Sequence, residues 1–217
     1  MKLVGGIAAA GCALALLASP AAAESDTELW SEVGFRHKLN SHWRLSLDQG
    51  LRMSDAASRF SSSVSDVGLS LRAKKWLRFA FVYRLSYKQK RGGDTEVRQR
   101  LQADVRVRLR WGKLTGSYRL RIQEQYRMDA NRSALRNQVA LGYRASRRVR
   151  PFLSAELFHT LGAGMDPNEL AKLRLTLGTS YSWRTRSLDM FYRFEQPIAD
   201  DSEPMVHILG LGYKFSL

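Results

Sequence analysis

From Leu77 to Lys88 every odd position is Leu, Phe or Tyr, while the even positions carry Arg78, Arg84 and Lys88. A second run does the same over Val97–Arg110, where Val97, Leu101, Val105, Val107 and Leu109 oppose Arg98, Arg100, Arg106, Arg108 and Arg110. A helix would scatter those arginines around its circumference; only a strand, with its period of two, places all of them on one face. A chain written this way must fold as sheet with one apolar and one strongly cationic surface.

The pattern recurs in eleven segments, at 29–39, 43–53, 64–72, 76–88, 96–110, 114–126, 134–144, 149–159, 170–181, 187–196 and 205–217. Most run 9 to 13 residues, which matches the ~9–11 that a tilted strand needs to cross a bilayer. The connections alternate between short turns, such as Trp111-Gly112-Lys113, and longer stretches at 54–63, 89–95, 127–133, 160–169 and 197–204 that hold most of the Gly, Asp, Asn and Pro. Short turns on one side and long loops on the other are the pattern of outer-membrane barrels. Trp43, Trp76, Trp111 and Trp183 lie in or beside short turns, where amphipathic rings would form a girdle at one membrane boundary. Tyr87 and Tyr126 sit at the other boundary.

The two ends of the chain read consistently with this. Met1-Lys2, the apolar run Leu3–Leu17 and Ala21-Ala22-Ala23 read as a secretory signal peptide cleaved before Glu24, with 24–217 forming one domain. Cys12 lies within that signal, so the exported chain would hold no cysteine and no disulfide. Leu209–Leu217 alternates apolar with Gly, Lys or Ser, resembling the terminal strand by which barrel-assembly machinery recognises its clients. Past the signal no stretch approaches the ~20 apolar residues of a membrane helix, so the chain must meet lipid through strands.

The sequence therefore predicts an all-β, antiparallel transmembrane β-barrel of about 10–12 strands in the bacterial outer membrane. An even number is expected, since single-chain bacterial barrels have one, yet eleven segments are visible and the first connection is a short one. Either residues 24–28 contribute an extra piece, or the first segment is split or lies outside the barrel. The alternative of a soluble barrel or sandwich inverts the faces. An eleven-strand barrel is wider than its own apolar side chains fill, and a sandwich leaves the loop and tryptophan asymmetries without a role.

The formal net charge of +15 falls to +14 without Lys2. Such a balance usually marks nucleic-acid binding, which an export signal argues against; here the cations belong to the inner face. By phase that face carries 22 basic residues against eight carboxylates: Glu32, Asp48, Asp66, Glu96, Asp104, Glu156, Asp189 and Glu195. Pairing leaves more than half of the cations over, so they need water, counter-ions or an anionic ligand. The central candidates for anion contact are Arg84, Arg100, Arg106, Arg108, Arg119 and Arg121, with an electrostatic role in a narrow passive pore or binding barrel for small anionic solutes. The alternative readings are a structural or envelope-assembly barrel without conductance and an outer-membrane enzyme that processes lipid or peptide.

Several short runs resemble an uncharacterised family of bacterial outer-membrane barrels known only as a domain of unknown function. They are Leu29–Gly34, Trp43–Gln49, Phe81–Arg84, Pro151–Phe158, Phe191–Phe194 and His207–Tyr213. The resemblance implies location and fold and brings no activity. In size and arginine lining there is a looser likeness to narrow porins that pass acidic oligosaccharides.

An enzyme of this size would need a nucleophile or carboxylate beside a histidine on the polar face. By phase His37, His159 and His207 point to lipid, and His42 lies in a turn. Asp200 and Asp201 near His207 are the nearest thing to an aspartate–histidine site, and Ser154 and Glu156 share an inward face without a histidine. No spacing suits a metal and no phosphate loop appears, so neither catalysis, cofactor nor metal is expected.

Overall fold

The computed structural model describes residues 25–89, 92–126, 131–161, 169–199 and 204–217; the segment expected to be a signal peptide, 1–23, lies outside them. Each alternating segment forms a strand: β1 (Ser25–Lys38), β2 (Trp43–Ser54), β3 (Arg59–Arg72), β4 (Leu77–Gln89), β5 (Thr95–Trp111), β6 (Leu114–Tyr126), β7 (Arg132–Tyr143), β8 (Val149–Leu161), β9 (Leu170–Trp183), β10 (Arg186–Pro197) and β11 (Met205–Ser216). Neighbours in sequence pair antiparallel, and β1 meets β11 to close a barrel.

The expectation of an even strand number fails, and the reason is geometric. In an up-and-down barrel an odd count leaves the first and last strands running the same way, so the closing pair must be parallel. β1 and β11 are parallel, in register from Ser25↔Met205 to Arg36↔Ser216. The first segment is neither split nor outside the wall. It starts at the long-loop rim beside Met205 and ends at the short-turn rim, where the Leu217 N–H donates to the Arg36 carbonyl at 2.9 Å. The first connection is short because it is made at that second rim.

The seam gives a direct prediction. Leu29 and Leu209 are cross-strand partners on the outer face, so L29C/L209C in the refolded protein should lose both free thiols on oxidation with copper–phenanthroline. Two thiols that stay titratable would place β1 elsewhere.

The distribution of polarity decides which medium suits the wall. Among the described residues the buried apolar ones are Val64 and Ile208, whereas Gln102, Asp104, Arg136, Glu156 and Glu195 are among the buried polar ones. The large apolar side chains stand outside: Phe81 is 64% exposed, Val139 57%, Ile122 54% and Leu153 54%. A continuous apolar belt around a charged interior is the inverse of a water-soluble core and matches a hydrocarbon surrounding. At the short-turn rim Trp76 and Trp111 are exposed, and Trp183 joins Tyr181 and Tyr213 in an outward ring cluster with centroids 5.4 and 6.0 Å apart. No described helix is long and apolar enough to cross a membrane.

Candidate functional site in the barrel lumen

Because side chains alternate along every strand, the even residues of β1–β5, β7–β9 and β11 neighbour one another inside, joined by the odd residues of β10 and of β6 between Thr115 and Gln125. They enclose a cavity of about 870 Å³. Its lining runs from Glu28 and Lys88 near the long-loop rim to Arg36, Arg44 and Arg78 near the other.

Apart from Glu28, the lumen carboxylates are each bound to cations. Asp66 receives Arg84 in two-point fashion at 2.7 and 2.6 Å, and Asp104 receives Arg121 likewise at 2.5 and 2.8 Å. Glu96 takes Arg98 at 2.6 Å, and Asp48 takes Arg36 at 2.7 Å. Lys214 sits between Asp189 at 2.9 Å and Glu32 at 3.6 Å. Glu195 holds Arg174 at 2.6 Å and Lys172 at 3.2 Å.

Glu156 is the hub of the network. It is 2% exposed, and its carboxylate accepts from Arg119 at 2.7 Å, Arg136 at 2.9 Å and Arg174 at 3.2 Å. Two of these guanidinium groups, on Arg136 and Arg174, also stack on the Phe158 ring at 4.3 and 4.6 Å. Three strands beside β8 or one further away thus converge on one acid.

Of the six arginines singled out by sequence, Arg84, Arg119 and Arg121 are neutralised in this way. Arg100 donates to the Gln125 side chain and has no carboxylate among the described residues. Arg106 and Arg108 likewise have no ion pair there. Arg106 is flanked in register by Arg78 on β4 and Arg119 on β6. Toward the short-turn rim Arg44, Arg72, Arg78, Arg108, Arg110 and Arg150 face inward with no carboxylate among them, so the charge excess is concentrated at that mouth. The four girdle tryptophans all sit at this same rim, while Trp30 faces the lumen.

A second feature, the aromatic side chains of the lumen, was not singled out from sequence. One cross-strand row reads Arg52, Trp30, Gly210, Phe191, Gly178 and Phe152 from β2 through β1, β11, β10 and β9 to β8. Each phenylalanine lies over the glycine of the adjoining strand: a Cβ on Gly210 would fall 2.0 Å from Phe191 Cζ, and one on Gly178 would fall 2.6 Å from Phe152 Cζ. The available signal was the broken alternation at Leu29-Trp30, Phe152-Leu153 and Phe191-Tyr192, where one of two adjacent apolar residues must turn inward. We expect Gly210→Ala to cost about 1–3 kcal/mol through overpacking, read as a lower urea midpoint. An unchanged midpoint would mean that the Phe191 ring swings away freely.

Among the described residues no carboxylate or serine joins a histidine on the inward face. His207 faces outward with Tyr192, whose hydroxyl lies 2.6 Å from its Nδ1. Asp200 and Asp201 lie outside the described residues. Among the described residues no three His, Cys, Asp or Glu side chains group as metal ligands.

Residues 27–201 match the protein family described as "Protein of unknown function (DUF2490)". The chain belongs to that family. This DUF2490 barrel is also similar to the solved structure of LpxR from Salmonella typhimurium, at 11% identity, covering 80% of this chain and 83% of that one, with a TM-score of 0.50. It resembles the β-domain of the Bordetella autotransporter BrkA at 10% identity, over 81% and 82% of the two chains, with a TM-score of 0.43. The first likeness bears on the fold of the DUF2490 barrel, which is that of an outer-membrane barrel. No curated protein matches the chain.

Proposed function

We propose that this barrel is exported, sits in the bacterial outer membrane with its short turns toward the periplasm, and passes or binds small anionic solutes. The reading is carried by one observation: a cavity of about 870 Å³ lined by guanidinium groups that outnumber the lumen acids. Arg44, Arg52, Arg72, Arg78, Arg100, Arg106, Arg108 and Arg193 have no ion pair among the described residues. Like charges crowded in a low-dielectric wall repel, and mobile anions relieve that cost. The same field raises the local anion concentration and excludes small cations. The cation-rich short-turn mouth would collect anions from the periplasmic side. Leu209–Leu217, running along the closing strand, remains the expected contact for the assembly machinery, and lipid is the partner of the apolar belt.

The test is the reversal potential of purified, refolded protein in a planar bilayer under a KCl gradient. Stepwise conductance with a potential displaced toward the chloride equilibrium supports the pore. A silent bilayer, with folding verified by heat-modifiable migration, would overturn passage and favour a barrel of structural role.

A further inference from the structure

The lumen contains two pairs of guanidinium groups, each stacked on one aromatic ring, and they differ in one respect. Arg136 and Arg174 share Phe158, and both bind the Glu156 carboxylate. Arg52 and Arg193 share Trp30, at 3.9 and 4.9 Å from the ring centroid, and neither has an ion pair among the described residues. The acids nearest this second pair are engaged elsewhere. Glu28 accepts the indole Nε1–H at 2.5 Å, and Glu195 holds Arg174 and Lys172.

Stacking fixes the plane of a guanidinium and leaves its N–H edge available for two-point binding of an oxyanion. Arg193 is fixed further, since its Nε–H donates to Thr176 Oγ1 at 3.1 Å and its ring partners include Phe191 at 4.7 Å. A pair that served only to brace the wall would carry its own counter-charge, as the Phe158 pair does. The Trp30 pair is built the same way, but the carboxylate beside it, Glu28, binds the indole N–H and makes no ion pair with either arginine.

We propose that Arg52, Trp30 and Arg193 form a binding site for an organic oxyanion, a carboxylate or phosphate ester, carried on a flat ring. The oxyanion takes the part that Glu156 plays in the other pair. The ring packs along Phe191 and Phe152, which continue the same cross-strand row as flat plates over Gly210 and Gly178. Both groups of the ligand are thereby satisfied by one wall of the lumen, the charged head toward β2 and the body toward β8. This site rests on the anion-binding reading above and names the class of solute.

The experiment uses the full exported chain, refolded, with Trp43, Trp76, Trp111 and Trp183 replaced by Phe so that emission reports Trp30. Benzoate, phenyl phosphate and acetate are titrated, and calorimetry on the parent protein gives the same constants should the multiple variant fold poorly. The ring-bearing oxyanions should bind at least about tenfold more tightly than acetate, and R52Q or R193Q in the parent should each weaken them by about tenfold. F191L should weaken the ring-bearing probes and leave acetate unchanged. Equal binding of acetate and benzoate, or no saturable binding to folded protein, would overturn the site. Chloride preference in the same preparation separates the two readings: preference retained without ring-oxyanion binding removes the site and leaves the pore. Binding with a silent bilayer removes the pore and leaves the site.

Discussion

Replacing Glu156 by Gln should lower the stability of the folded barrel by about 3–5 kcal/mol, the range for removing one partner of a buried ion pair. The substitution keeps the shape and deletes the charge on which Arg119, Arg136 and Arg174 converge. It also turns one acceptor oxygen into an amide donor aimed at guanidinium donors, so at least one hydrogen bond is lost with no partner to replace it. With the side chain 2% exposed, water cannot make up the deficit at that point. The observable is the urea midpoint in detergent followed by tryptophan emission, and a midpoint unchanged from the parent would remove Glu156 as a keystone. E156Q/R136Q should recover part of the loss, since it removes one of the stranded cations; strict additivity of the two single effects would mean that they do not interact.

The second large effect concerns selectivity. Arg106 and Arg108 project into the lumen from β5, and no carboxylate among the described residues neutralises them. R106E/R108E replaces two positive groups by two negative ones in the half of the lumen where Arg44, Arg72 and Arg78 also lie. At the few-ångström distances of a narrow lumen, such a swap changes the difference in energy between a passing chloride and a passing potassium by on the order of 1–2 kcal/mol, so the chloride-to-potassium permeability ratio should fall by about tenfold. A reversal potential equal to that of the parent would take these residues out of the conducting path. The paired arginines make the useful contrast: R121Q leaves Asp104 without its two-point partner, and should act mainly on folding.

The strands were legible wherever lipid would impose two unlike faces. They were read short where it would not. β3 begins at Arg59, five residues before the sequence reading, because Arg59–Ser63 holds a single apolar residue, Phe60, and so has no period to detect. β1 likewise begins at Ser25, in the polar run Ser25–Glu28. These are the parts of the hairpins that extend past the apolar belt. The parity of the barrel was hidden for a different reason. Whether β1 runs with or against its closing partner is a property of two segments some 180 residues apart, and neither segment carries it alone.

Within the lumen, phase alone identified the inward cations, but register decided their chemistry. Arg84 and Arg121 meet an acid directly across the strand pair, at Asp66 and Asp104, while Arg106 meets Arg78 and Arg119. Ranking by position in the arginine ladder could not separate these cases. Trp30, Arg52 and Arg193 were passed over because each belongs to a different strand, and only the closure of β1 on β11 brings them around one ring. Glycine was the quiet signal: Gly178 and Gly210 lie on inward faces, where they leave room for aromatic plates.

The parallel seam has a topological consequence. In an even barrel the polypeptide enters and leaves the wall at the same rim, so tags at its two ends report a single compartment. Here the chain joins the wall at one rim, at Ser25, and leaves it at the other, beside Arg36 and Leu217. Reporters fused just before Ser25 and just after Leu217 would face opposite aqueous phases, and a protease added to one phase would remove only one of them. The barrel thus makes an odd number of crossings, and its two ends are a built-in marker of sidedness.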